Sequence, residues 1–89
     1  MKRENKSKLL NRLSRIEGQV RGVARMMEEE RYCIDVLTQI SAVQAALDKV
    51  ALGLVDEHAR HCVMGAEGAE RDEKTEELMG AVGRLMRRG

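Results

Sequence analysis

Apolar residues return every three or four positions early in the chain: Leu9, Leu10, Leu13, Ile16, Val20, Val23 and Met27. That step marks one stripe of an α-helix and predicts a first helix over residues 7–29, with Ser7 as its N-cap. Glu28, Glu29, Glu30 and Arg31 then form a polar connection. A longer stripe follows through Ile34 or Val36, Leu37, Ile40, Val43, Leu47, Val50, Leu54 and Val55, and predicts one helix over residues 32–64. Asp35 falls in its first turn, where a carboxylate suits the positive end of the helix dipole. Gly53 is a weak point in this stripe, and a kink there would shorten the helix. The run GAEGAERD from Gly65 reads as a loop ending on Asp72, the expected N-cap of a short third helix over residues 73–86. Leu78, Met79, Val82, Leu85 and Met86 form its apolar side, and Arg84, Arg87 and Arg88 lie near its end, where cations are favoured.

The predicted fold is therefore all-α, a single domain over residues 1–89 with two long helices and one short. Composition agrees: there is no Pro, Trp or Phe, Tyr32 is the one aromatic, and 35% of residues are charged. Three helices of such unequal length cannot cover their own stripes, whereas two protomers pairing as an antiparallel four-helix bundle can. Ser41, Ala42, Ala45 and Ala46 supply a small-residue surface for that pairing.

The net charge of +1 hides an asymmetry, because residues 1–25 carry eight basic groups against two acidic ones. A basic first helix indicates either a polyanionic partner, most often nucleic acid, or a solvated helix face. No apolar run reaches the roughly 20 residues that cross a bilayer, and no signal-peptide pattern is present, so the expected compartment is the cytoplasm. In that reducing setting two cysteines are ligands or redox groups before they are a structural staple.

The candidate chemistry rests on Cys33, His58 and Cys62. On an α-helix the last two, four positions apart, project from one face about 40° apart around the axis. His61 falls about 60° to the other side and is expected to point away from them. Cys33 precedes Cys62 by 29 positions, which on an unbroken helix at about 1.5 Å per residue is roughly 43 Å. Cys33 would then meet His58 and Cys62 only from a second, antiparallel protomer. Two thiolates and one imidazole suit Cu(I), while a structural zinc site normally takes four protein ligands. Two other readings stay open: an intersubunit disulfide or persulfide link between Cys33 and Cys62, and a nucleophile activated by a Cys–His pair. No glycine-rich turn, oxyanion-hole signature or small-molecule pocket is legible, so an enzyme is not expected.

Together these residues resemble the copper-sensing operon repressor family (CsoR). The resemblance rests on RLSRIEGQVRGVARMM from Arg12, YCIDVLTQISAVQAAL from Tyr32, the Cys33–His58–Cys62 triplet and the EEL element Glu76–Leu78. It implies a dimer that pairs into a tetramer and a repressor that leaves duplex operator DNA when Cu(I) bridges protomers, derepressing copper-efflux genes. It further implies an outer pair of residues around the metal-bound histidine, Tyr32 and Glu77, with Glu76 as the alternative acid. It also implies a DNA-contacting surface on the first two helices, with Arg12 and Lys49 at matching positions and Lys6, Lys8, Arg15 and Arg21 as further candidates. Relatives that sense nickel, cobalt or formaldehyde replace the second cysteine by histidine, and sulfur-sensing relatives lack the histidine between the cysteines. Cys62 and His58 together therefore favour copper. The alternatives are a persulfide or oxidant sensor on the same fold, and a copper-buffering protein with no role at DNA.

Overall fold

The computed structural model describes residues 1–87; Arg88 lies outside the described residues. Three α-helices follow in order, α1 (Arg3–Glu28), α2 (Cys33–His58) and α3 (Gly68–Met86), and a π-helical turn (Ala59–Val63) continues directly from α2. Among the described residues there is no β-strand. The all-α, three-helix class is as the periodicity predicted, but the helix ends differ.

Ser7 does not cap α1. The helix begins four residues earlier, with Lys2 in extended conformation before it and the Lys6 amide donating to the Lys2 carbonyl at 3.0 Å. Nothing from Arg3 to Lys6 breaks a helix, and Glu4 in the first turn suits the dipole. Asp72 likewise lies inside α3, which is entered through Gly68 at φ +59°. Only the short stretch 64–67 remains as a connection, because Ala69, Glu70 and Arg71 are good helix formers. Gly53 does not interrupt α2. The change of register comes later, at Ala59.

The chain divides into two compact units, Lys2–Ala51 and Leu52–Gly89, the second including Met1. In the first unit the link between α1 and α2 is a Schellman turn. The Arg31 amide donates to the Met26 carbonyl at 2.9 Å and the Glu30 amide to the Met27 carbonyl at 3.1 Å. Glu30 takes the left-handed position at φ 54°, where glycine is the usual occupant. Ile16, Val36 and Val50 are buried, yet Leu10, Leu13, Val20 and Met27 of α1 and Ile34, Leu37, Ile40 and Leu47 of α2 remain exposed. In the second unit α3 packs against the π turn, and Ala66 is buried in the connection between them. No helix among the described residues is long and apolar enough to cross a membrane.

Candidate functional site

The end of α2, the π turn and α3 line an open cavity of about 420 Å³ whose wall includes His58, His61, Cys62, Glu57, Glu77 and Arg84. His58 is the last residue of α2, half-buried, and its Nε2 lies 4.0 Å from Glu77 Oε1 on α3. That separation exceeds a hydrogen bond and is a charge-level approach. Glu77, rather than Glu76, is thus the acid on the histidine's side. Cys62 lies within the π turn as an exposed free thiol. His58 and Cys62 share the cavity, and so does His61.

His61 is exposed, as expected of a residue off the His58–Cys62 face, and its Nε2 turns to Glu57 at 3.2 Å. An i→i+5 turn is wider than an α-helical one and turns less per residue, which carries His61 further round toward the Glu57 side and keeps Cys62 near the His58 face. The wide turn is marked by the Met64 amide donating to the Ala59 carbonyl at 3.0 Å. Gly65 follows it, and a Cβ there would lie 3.0 Å from the His61 carbonyl oxygen. A residue with a side chain would crowd the turn at that point.

Glu57 was not singled out by sequence reasoning. It is 6% exposed and, among the described residues, is the buried charged side chain; its Oε2 lies 3.2 Å from His61 Nε2. Charged residues are rarely buried without a partner. The pattern offered only the i,i+4 spacing of Glu57 and His61 as a signal. Arg71 was also missed: from α3 it donates through Nε to the Val63 carbonyl at 3.4 Å and through Nη2 to the Met64 carbonyl at 3.3 Å.

Cys33 opens α2 in the other unit, as an exposed free thiol beside a groove lined by Met27, Arg31, Val36, Leu37 and Ile40. Tyr32 precedes it with an exposed ring, and its carbonyl accepts the amides of Asp35 at 3.0 Å and Val36 at 3.2 Å. Among the described residues no three His, Cys, Asp or Glu side chains gather into a metal-holding group within one chain. Lys6, Lys8, Arg12, Arg15, Arg21 and Lys49 are all exposed. Lys8, Arg12 and Arg15 follow i, i+4, i+7 spacing and form one row on α1, from which Lys6 and Arg21 are displaced; Lys49 stands on α2.

Residues 5–84 match the family model described as "Metal-sensitive transcriptional repressor". The chain belongs to this family. Its members are transcriptional repressors, not enzymes, and a transcriptional repressor acts at DNA. The chain is 55% identical over 87 residues to the copper-sensing transcriptional repressor RicR of Mycobacterium tuberculosis (strain H37Rv), covering 94% of this chain and 91% of that one. The copper-sensing repressor CsoR with Cu(I) from Geobacillus thermodenitrificans NG80-2 superposes with a TM-score of 0.89 at 44% identity, covering 98% of this chain and 92% of that one. The nickel-responsive transcriptional regulator InrS superposes with a TM-score of 0.75 at 46% identity, covering 89% of this chain and 90% of that one. Family and fold are thus shared by sensors of different metals, and identity alone does not choose between them.

Proposed function

We propose that the chain is a Cu(I)-responsive repressor acting in the cytoplasm. Its metal-free form holds duplex operator DNA, and occupancy of a Cys33–His58–Cys62 centre between protomers lowers that affinity and derepresses copper-efflux genes. One observation carries the choice of metal: His58 and Cys62 share one cavity wall, with Glu77 facing the imidazole. The donors fit the ion. Cys62 and Cys33 are free, exposed thiols, and two thiolates with one imidazole make a soft, three-coordinate set suited to Cu(I). Nickel would prefer a set richer in nitrogen and oxygen, with square-planar geometry.

Cys33 opens α2 and His58 closes it, so the two stand at opposite ends of one continuous helix. A second protomer is the natural source of the third donor, and the exposed apolar residues of α1 and α2 are the natural surface for a dimer and tetramer. His58 turns Nε2 toward Glu77, which would leave Nδ1 to hold the metal. A carboxylate that closes on the distal nitrogen from its present 4.0 Å would fix the ring direction and link α3 to the ligand. Tyr32 serves as the outer partner beside Cys33. When bound, the ion supplies a soft cross-link between protomers.

At DNA, the row Lys8, Arg12 and Arg15, with Lys6, Arg21 and Lys49 around it, meets phosphates. With one aromatic residue in the chain, readout proceeds through backbone contacts and duplex shape. A coupling of about 1–3 kcal/mol between metal and DNA suffices for such a switch.

The deciding measurement is anaerobic fluorescence anisotropy of the protein on a duplex from its own promoter, titrated with Cu(I) and, separately, with Ni(II). The proposal expects salt-sensitive binding by the metal-free protein and release by Cu(I) alone. Binding that Cu(I) leaves unchanged, or that Ni(II) releases instead, overturns it. The exposure of both thiols favours a second reading, a sulfane-sulfur or oxidant sensor using Cys33 and Cys62. Mass spectrometry showing a bridge with extra sulfur atoms at the point of operator release, without copper, would select that reading.

A further inference from the structure

The π turn carries Cys62, and among the described residues it is the one departure from α-helical register within a helix. Such turns are rare and occur mostly as single-turn bulges. Here side chains hold it from both sides. On the entering side, the buried Glu57 places Oε2 3.2 Å from His61 Nε2, joining the last turn of α2 to the middle of the π turn. On the leaving side, Arg71 donates to the carbonyls of Val63 and Met64, which ties the end of the turn to α3. A second i,i+4 pair, Asp56 and Arg60 at 3.0 Å, also crosses the junction, but both side chains are exposed, and pairs of that kind contribute little.

We infer that the Glu57–His61 pair and Arg71 are positioning groups that clip the π turn open and so set the place of Cys62 beside His58. His61 is in this view a strut and not a metal ligand. The consequence for copper rests on the function proposed above, whereas the hold on the turn does not. His61 and Arg71 are exposed, so their replacement leaves the buried positions intact.

The test uses the full chain with five variants: His61→Ala, His61→Gln, Arg71→Ala, Asp56→Ala and, as a ligand control, His58→Ala. Two readouts are taken. Amide hydrogen exchange over residues 62–65 is followed in the metal-free protein. The near-ultraviolet thiolate-to-Cu(I) absorption is followed during competition with a chromogenic Cu(I) chelator. His61→Ala and Arg71→Ala should speed exchange in that segment and weaken Cu(I) about tenfold or more, the range seen when groups supporting a ligand are lost. His61→Gln keeps a polar side chain within reach of Glu57 and should behave as the parent, as should Asp56→Ala.

Unchanged exchange in both His61→Ala and Arg71→Ala overturns the inference. So does a His61→Gln protein as impaired as His61→Ala with one nitrogen fewer around copper by X-ray absorption, because His61 is then a ligand. A parent protein with no thiolate-to-Cu(I) band, or a band unaffected in His58→Ala, overturns the proposed copper site instead. In that event the exchange rates alone still decide whether the clips hold the turn.

Discussion

The two ends of α2 are built differently. At the Cys33 end the backbone does the holding: Met26, Met27, Glu30 and Arg31 close a Schellman turn, Tyr32 accepts the first amides of α2, and the thiol stands on regular helix. At the His58 end the backbone leaves α-helical register, and side chains from Glu57, His61 and Arg71 supply the restraint. The contrast teaches where substitutions act. Near Cys33 a change should remove a proposed donor and little else, whereas near His58 a change away from the proposed donors should move them.

The largest expected effect sharpens the Cys33 side. Cys33→Ala should keep operator binding within about twofold and abolish release by Cu(I), because the helix start is held by main-chain bonds that the thiol does not make; anisotropy titration with and without Cu(I) reads both. Release that persists would break the comparison at its root. Next in size is the basic row. Arg12→Ala should weaken operator binding by roughly tenfold and lower the slope of log affinity against log salt by about 1, leaving Cu(I) affinity unchanged. On the His58 side, Gly65→Ala places a Cβ 3.0 Å from the His61 carbonyl oxygen. It should destabilise the fold by about 1 kcal/mol in urea titration and weaken Cu(I) in the chelator competition, where an equally destabilising change near Cys33 would not. The smallest effect is a gain. Glu30→Gly relieves a non-glycine residue at φ 54° and should raise stability by about 0.5–1 kcal/mol with no change at metal or DNA.

Much of this was legible before any coordinates. The three- and four-residue steps from Leu9 to Met27 and from Val36 to Val55 require helices, since only that period puts those side chains on one face. The Cys–His–Cys spacing marked the candidate donors. Helix ends were less legible. Ser7 and Asp72 are good caps by residue type, but each lies inside a helix, because neighbouring residues with no bar to helix let the first turn start earlier. Glu57 read as one more surface acid, for nothing in its neighbours' identities says that it is covered.

The chain alone therefore determined the all-helical class, the charge gradient from the basic first helix onward, and which side chains can bind a soft ion, because periodicity, charge and donor chemistry are properties of residues and their spacing. Only the tertiary structure decided that the helix widens at Ala59, that Glu57 is buried against His61, and that Glu77 rather than Glu76 faces His58. The physical reason is that an i→i+5 turn and an i→i+4 turn accept the same local pattern. The choice between them is made by partners such as Arg71, which reach the turn from a different helix.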